Sequence, residues 1–296
     1  MRPKLQILSV VMLGAGLGVA LPNQSRHAVS VETQGAGTFA DAAMMKAVAT
    51  APAATDTAHA LTAPASLVAA VKPAAKRETR VEAALRVLQA RVRRQSHPDA
   101  LRYAFEAYFN YKSAHPEKVR KPYLYFVDYG LDSNTPRGYV FDMAALKVVD
   151  GPFTVAHGRG SGGNDAVPTR FSNRNGSNSS SLGLFLAQET YAFSGKTGGR
   201  FYRSVGLRLT GLSGVFNNAA RSRGVVVHGA PYVTSGKAGR SEGCPAIEPA
   251  RARRLLPKIG NGGMVFLFSP RDKRWLTRDP WARTAAESTG ETDSNS

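Results

Sequence analysis

The sequence predicts a mainly β domain, sandwich- or barrel-like, with small peripheral helices and a helical pair on its N-terminal side. Short apolar or aromatic runs, separated by Gly, Pro, Asn and Ser, recur between residues 120 and 270. Apolar residues at helical spacing dominate residues 76–115. The two ends of the 296-residue chain do not have the composition of a folded core, so the sequence predicts one folded domain with a helical preface.

Residues 1–22 have the pattern of a secretory signal. Arg2 and Lys4 precede a mostly apolar run at 5–21, and Gly18-Val19-Ala20 offers a small-residue cleavage site. An uncleaved membrane anchor is the alternative, but a spanning helix needs roughly 20 apolar residues. We therefore expect export to the periplasm or cell envelope, with no stable membrane span after cleavage.

Residues 23–75 are rich in Ala, Thr, Pro and Ser and predict a disordered tether, because they offer too little apolar surface to offset the entropy of ordering. The next segment, 76–115, predicts two helices, with Ser96 as the N-cap of the second and Pro98 near its first turn. The apolar faces of the two helices carry Val81, Ala84, Leu85, Leu88 and Val92, then Leu101, Ala104, Phe105, Tyr108 and Phe109.

The predicted domain spans residues 120–270. Its expected strands lie at 123–129, 138–143, 148–156 (interrupted by Gly151-Pro152), 182–186, 205–209, 225–227 and 264–268. A long polar loop occupies 158–181, and loops of that length in compact domains usually serve a function or are disordered. A helix is expected at 249–258, where Pro249 suits a first turn. The polar tail at 281–296 predicts disorder.

Charge and cysteine content narrow the function. The formal net charge is +18, from 39 Lys+Arg against 21 Asp+Glu, which favours a polyanionic neighbour. No zinc-finger spacing or ribonucleoprotein motif is present, so we expect no nucleic-acid partner. A single cysteine, Cys244, excludes an internal disulfide. A structural zinc site wants four ligands, and after residue 120 only His157, His228 and Cys244 are good candidates, so we expect no metal.

One segment carries a reactive pattern. A short apolar run at 225–227 ends in His228-Gly229, and Ser241-Glu242-Gly243-Cys244 follows after a polar loop. An imidazole can take the thiol proton to give a strong nucleophile and can later protonate a leaving amine. The N–H groups of Gly243 and Cys244 could stabilise the resulting oxyanion. The alternative is an inert buried thiol beside a core histidine.

His228-Gly229 followed by Ser241-Glu242-Gly243-Cys244-Pro245-Ala246 resembles the signature of the L,D-transpeptidase catalytic domain, the YkuD-like family. The nearest match is the branch with Ser-x-Gly-Cys-Pro-Ala and an upstream His-Gly-Arg-Gly-Ser-Gly, here residues 157–162. Most members have His where Glu242 stands. The resemblance implies that a peptidoglycan stem peptide acylates Cys244, that His228 is the base, and that no cofactor is needed.

The resemblance also implies a substrate cleft. We expect Gly229, Arg170, Arg240 and Ser241 in it. His157 and Arg159 either contact substrate, with Arg159 pairing a stem carboxylate, or hold the loop by hydrogen bonds. Glu242 either orients a substrate amine or faces water. The product is a 3→3 cross-link or, if water resolves the thioester, a trimmed stem. The alternative function is a non-catalytic peptidoglycan-binding protein that keeps the fold.

Overall fold

A computed structural model of the chain describes residues 78–162 and 167–283. The predicted signal, the tether and the greater part of the C-terminal tail therefore lie outside the described residues. None of the described helices has the length and apolar character that crossing a bilayer requires.

Two helices open the described part of the chain. Helix α1 (Arg80–Leu88) begins at a capping box, in which the Thr79 hydroxyl accepts from the Glu82 N–H and the Glu82 carboxylate accepts from the Thr79 N–H. Helix α2 (Ala100–Ala114) does not begin at Ser96, as the sequence suggested, but after Asp99. Ser96 instead donates both its N–H and its hydroxyl to the Asp128 carboxylate, at 2.7 and 2.5 Å, which ties the interhelical loop to the sheet.

The rest is mainly β, as predicted. The strands are β1 (Tyr123–Asp128), β2 (Gly138–Asp142), β3 (Lys147–Phe153), β4 (His157–Gly158), β5 (Gly183–Thr197), β6 (Arg200–Gly211), β7 (Val226–Gly229), β8 (Arg240–Ser241), β9 (Ala246–Ile247) and β10 (Met264–Phe268). Helix α3 (Pro249–Ile259) precedes β10, and helix α4 (Lys273–Arg278) follows it. Strand β3 continues through Gly151-Pro152, which the sequence had marked as an interruption.

Eight strands form one sheet in the order β3-β2-β1-β10-β5-β6-β7-β9, and β4 pairs with β8 in a second, two-stranded sheet. Three elements of that order place the candidate site. Strand β7 is antiparallel to β6 and parallel to β9, so His228 lies opposite Gly206 on one side and Ala246 on the other. The β4–β8 pair joins His157 to Arg240 and Gly158 to Ser241.

One apolar core joins the helices to the sheet. Leu88, Phe105 and Tyr108 are fully buried in the same cluster as β1 and β10, so the helical pair is part of the domain core. The C-terminal end of the described chain also packs against this body. Trp281 donates its indole N–H to the Leu212 carbonyl at 2.8 Å, and Ala282 is buried. The tail predicted as disordered from 281 therefore starts with packed residues.

Candidate active site

His228 lies on β7 with its ring held from two sides. The ring stacks on Phe193, with centroids 4.2 Å apart and planes 18° apart, and its Nδ1 lies 3.2 Å from the Gly229 carbonyl. A carbonyl can only accept, so Nδ1 carries the proton and Nε2 keeps its lone pair. Burial lowers the pKa of His228 to about 4, against a smaller raising effect of the Gly229 bond. At neutral pH the imidazole is therefore uncharged and able to accept a proton.

Cys244 ends a tight turn that begins at Ser241. The Ser241 hydroxyl donates to the Cys244 carbonyl at 2.6 Å and accepts from the Gly243 N–H at 3.2 Å. Gly243 has φ +124°, a conformation that side chains disfavour, so glycine is needed there. The Gly243 N–H, expected as an oxyanion donor, is thus already bonded, whereas in the described part of the chain no such partner is found for the Cys244 N–H.

The thiol of Cys244 is partly exposed and faces main-chain groups. Its Sγ lies 3.8 Å from the Gly224 carbonyl oxygen. The dense surroundings raise the pKa of the thiol, against the lowering effects of the Val226 N–H and the Arg223 guanidinium, and the Glu242 carboxylate raises it further. Burial therefore opposes both charges of the thiolate–imidazolium pair that the sequence suggested.

The structure places Cys244 and His228 around one cavity of about 280 Å³. Across residues 78–162 and 167–283, no hydrogen bond joins Sγ to the imidazole, although both residues line this cavity. Phe193, Tyr202 and Tyr232 also line this cavity. The arrangement can admit a small acyl group between nucleophile and base.

Two of the predicted substrate residues line the cavity, Arg240 and Ser241. The Arg240 guanidinium is held in place by the Ser133 hydroxyl and the Ala238 and Gly239 carbonyls, each at 3.2 Å. Ser241 supports the cysteine turn as described. Gly229 does not line the cavity, and a Cβ there would stand 2.2 Å from the Ser204 hydroxyl, so its small size serves packing.

Arg159 and Glu242 pair with each other. Both Nε and Nη2 of Arg159 lie 2.8 Å from the same Glu242 carboxylate oxygen, and both side chains are largely exposed. The Asn178 amide, oriented to satisfy both groups, donates to Glu242 at 2.7 Å and accepts from Arg159 at 3.0 Å. Glu242 also lines the cavity, so it meets an arginine at the cavity wall rather than water alone.

His157 and Arg170 lie away from the cavity. His157 is fully buried, and its Nδ1 accepts from Arg137 at 2.9 Å. Burial, with the charges of Arg137 and Arg240, lowers the pKa of His157 to about 2, so the ring is neutral. This hydrogen bond joins His157 to Arg137, which lies outside the 158–181 loop, so both roles considered for His157 stay predictions. Arg170 is exposed, and its Nε donates to the Gly160 carbonyl at 3.4 Å.

The polar loop supports the cysteine turn. The Ser180 hydroxyl accepts from the Gly158 N–H and donates to the Gly243 carbonyl, both at 3.0 Å. Ser180 is fully buried, so this hydroxyl links β4 to the turn inside the protein. The end of the loop is therefore a support beneath the site.

Sequence reasoning missed Arg223. Its guanidinium donates to the Ser172 carbonyl at 2.8 Å, the Ser179 carbonyl at 2.9 Å and the Ser177 hydroxyl at 3.2 Å. Its Nη2 lies 3.7 Å from where a Cβ of Gly243 would stand. The charge of Arg223 thus lowers the pKa of the Cys244 thiol, against the larger raising effect of burial. Phe193, Tyr202 and Tyr232 were missed too.

Among residues 78–162 and 167–283, no cluster of three or more His, Cys, Asp or Glu is placed to hold a metal ion. Comparisons with known proteins point to one family. A family model for the L,D-transpeptidase catalytic domain matches residues 93–268. No curated protein sequence matches the chain.

Solved structures similar to the chain include three L,D-transpeptidases. The protein from Mycobacterium smegmatis is 18% identical over 50% of this chain and 58% of its own, with a TM-score of 0.31. The Stackebrandtia nassauensis protein is 16% identical over 58% of this chain and 67% of its own, with a TM-score of 0.31. A C442S mutant from Enterococcus faecium is 13% identical over 50% of this chain and 50% of its own, with a TM-score of 0.30. The chain thus spans less than two thirds of the first of these. Because the family model covers more than half of the chain, this protein belongs to the L,D-transpeptidase catalytic-domain family.

Proposed function

We propose that this protein is a cysteine acyltransferase that acts on peptidoglycan stem peptides through a thioester on Cys244. The observation that carries the proposal is the shared cavity, into which a partly exposed thiol and an uncharged imidazole both open. Family membership supports the class of reaction and of substrate. The cell wall lies outside the cytoplasm, so the proposal includes export to the periplasm or cell envelope.

In the first half-reaction, Sγ attacks the carbonyl carbon of the amide between diaminopimelate and the terminal D-alanine. The thiol proton passes to Nε2 of His228, which then gives it to the departing amine of D-alanine. The C–N bond breaks as the thioester forms. The Cys244 N–H is the available oxyanion donor, and the Gly243 N–H joins it only if it leaves the Ser241 hydroxyl.

In the second half-reaction, an amine of another stem attacks the thioester carbon. Its proton passes to His228 and from there to the departing thiolate, which regenerates the enzyme and leaves a 3→3 cross-link. Water in place of the amine gives L,D-carboxypeptidation. Both outcomes use the same groups, so the choice depends on which nucleophile enters the cavity.

Charged groups at the cavity suit a carboxylate-rich stem. Arg240 and Lys196 line it, while Glu242 and Arg159 neutralise each other. Arg159 can bind a stem carboxylate in bidentate fashion only if it exchanges its partner Glu242 for the substrate. That exchange is inexpensive, because an exposed ion pair contributes only about 0–1 kcal/mol.

The test is incubation of the full chain with purified tetrapeptide muropeptides, followed by mass spectrometry of protein and products. We expect an acyl adduct on Cys244 and free D-alanine, with a dimer if transfer occurs and without one if hydrolysis occurs. Cys244→Ala removes all three signals, and His228→Gln slows their appearance. Folded protein that binds wall polymer yet gives no adduct and no D-alanine contradicts the proposal and favours the non-catalytic binding protein.

A further inference from the structure

A second cavity, of about 450 Å³, lies outside the candidate active site. None of the residues that line it also lines the cysteine cavity. Its walls come from three segments of the chain: residues 171–182 (through 171–174 and Leu182), residues 215–216, and residues 272–274 (through Asp272 and Arg274). It is larger than the cysteine cavity, and the proposed reaction leaves it without a role.

Apolar side chains and two arginines line this cavity. Phe171, Leu182 and Phe216 supply apolar surface, and Arg174 and Arg274 are exposed. The Arg274 guanidinium lies 5.6 Å from the centre of the Phe216 ring. No ion pair in the described ranges engages either guanidinium. The one carboxylate in the wall, Asp272, accepts from the Trp275 N–H at 3.0 Å. A cavity lined by two exposed guanidiniums and by apolar side chains fits a small anion with an apolar body.

The wall is held in place before any ligand binds. The Asn173 amide donates to the Val215 carbonyl at 3.0 Å and to the Asn218 side chain at 2.7 Å, and it accepts from the Ala219 N–H at 3.2 Å. Three hydrogen bonds from one side chain fix the distance between two of the three segments. A binding site that is already formed loses less conformational entropy when its ligand arrives.

One arginine connects this wall to the cysteine turn. The carbonyl of Ser172, a lining residue, accepts from Arg223 at 2.8 Å, and the same guanidinium reaches the Ser179 carbonyl beside Gly243. The wall of the second cavity and the cysteine turn are therefore both held by Arg223.

We propose that this cavity is a second, non-reacting site for a short peptide that ends in a carboxylate and carries small apolar side chains. This inference rests on the proposed function, under which the natural occupant is a neighbouring stem peptide of the same wall polymer. Arg174 and Arg274 hold its carboxylate, and the surface of Phe171, Leu182 and Phe216 covers its side chains. The site anchors polymer while Cys244 acts on another stem.

The experiment measures binding in the full-length Cys244→Ala chain, so it does not depend on turnover. The probes are N-acetyl-D-alanyl-D-alanine and its C-terminal amide, followed through the methyl NMR signals of Val215 and Leu182. We expect saturable shifts with the acid. With the amide, or in an Arg174→Gln/Arg274→Gln variant, we expect binding at least about tenfold weaker, because a charge-assisted bond is lost.

The matched control is Arg271→Gln/Arg278→Gln, which removes two exposed charges at the two ends of α4 and should leave binding unchanged. Equal binding of acid and amide overturns the proposal, and so does the absence of any shift at Val215 in folded protein. Shifts confined to the cysteine cavity also overturn it but leave the proposed function intact. Conversely, if the wild-type chain binds the probe at Val215 yet forms no acyl adduct with muropeptides, the proposed function fails while this binding site stands.

Discussion

The uncharged state of His228 predicts how stability depends on pH. The pKa of its ring is about 4 in the folded chain against an ordinary value of 6.5, because burial disfavours the charged form. The perturbation is His228→Gln, which removes the titrating ring and keeps a polar side chain. The comparison is the pH dependence of the free energy of unfolding in the two proteins, rather than its value at one pH.

The sign follows from proton binding. Between pH 6.5 and pH 4 the unfolded chain binds a proton at residue 228 that the folded chain does not, so the free energy of unfolding rises with pH across this window. Above pH 6.5 neither state is charged there and the contribution is constant. At about 1.4 kcal/mol per pH unit over the 2.5 units between those pKa values, the wild type loses about 3 kcal/mol more than the variant on acidification.

The assay is urea denaturation, followed by far-ultraviolet circular dichroism, at several pH values from about 7.5 to about 4. Contributions from His157 and from the carboxyl groups occur in both proteins and cancel in the difference. We expect the two curves to run in parallel above pH 6.5 and to converge or cross below it. Curves that stay parallel throughout would show that His228 is protonated as easily in the folded chain as in the unfolded one.

Three further predictions concern the thiol and the core. Arg223→Gln should raise the pKa of the Cys244 thiol, read from thiolate absorbance against pH, and Arg223→Lys should restore it; identical titrations would refute the charge effect. Glu242→Gln should lower the same pKa, because a carboxylate disfavours a thiolate, and no change would exclude that coupling. Asn217→Ala should lower the free energy of unfolding by about 3–5 kcal/mol, since it strips three buried hydrogen bonds. Exposed Asn175→Ala, the control in the same urea assay, should cost less than about 0.5 kcal/mol, and an equal loss in both would contradict the reasoning.

Elements with a strong local signal could be predicted from the sequence. The predicted strand at 264–268 matches β10 (Met264–Phe268) to the residue. A continuous apolar run of this length is too short for a buried helix and is typical of a buried strand. Helix α3 agrees to within a residue, since Pro249 opens it and Leu255, Leu256 and Ile259 face the core. In both elements, the apolar residues that mark the element in the sequence are also the ones that pack into the core.

The β5–β6 hairpin shows where the local signal fails. The sequence predicted strands at 182–186 and 205–209, but the two strands run on to Thr197 and from Arg200. The added residues alternate between half-buried and exposed positions on a hairpin with no apolar run of its own. The adjacent Gly198 and Gly199, both with positive φ, were the available signal, because two such glycines suit a tight hairpin turn.

The site residues divide in the same way. Cys244 and His228 could be selected because a thiol and an imidazole flanked by glycines form a recognisable pattern. Arg223 could not, because it lies in a turn without a motif and acquires its role only when three serine oxygens gather around its guanidinium. Phe193, which stacks on His228, comes from the part of the hairpin that was not predicted.

The protonation states around Cys244 also decide what kind of catalyst the site can be. Burial raises the pKa of the thiol and lowers that of His228, so moving the proton between them is uphill in the empty cavity. A preformed ion pair would attack at once, whereas a neutral pair can act only if proton transfer accompanies attack on a bound carbonyl. The charge then appears on the substrate oxygen beside the Cys244 N–H rather than on sulfur. For the proposed acyl transfer, the energy of binding the substrate, and not a free thiolate, must then supply the activation, so the groups that line the cavity matter as much as the nucleophile.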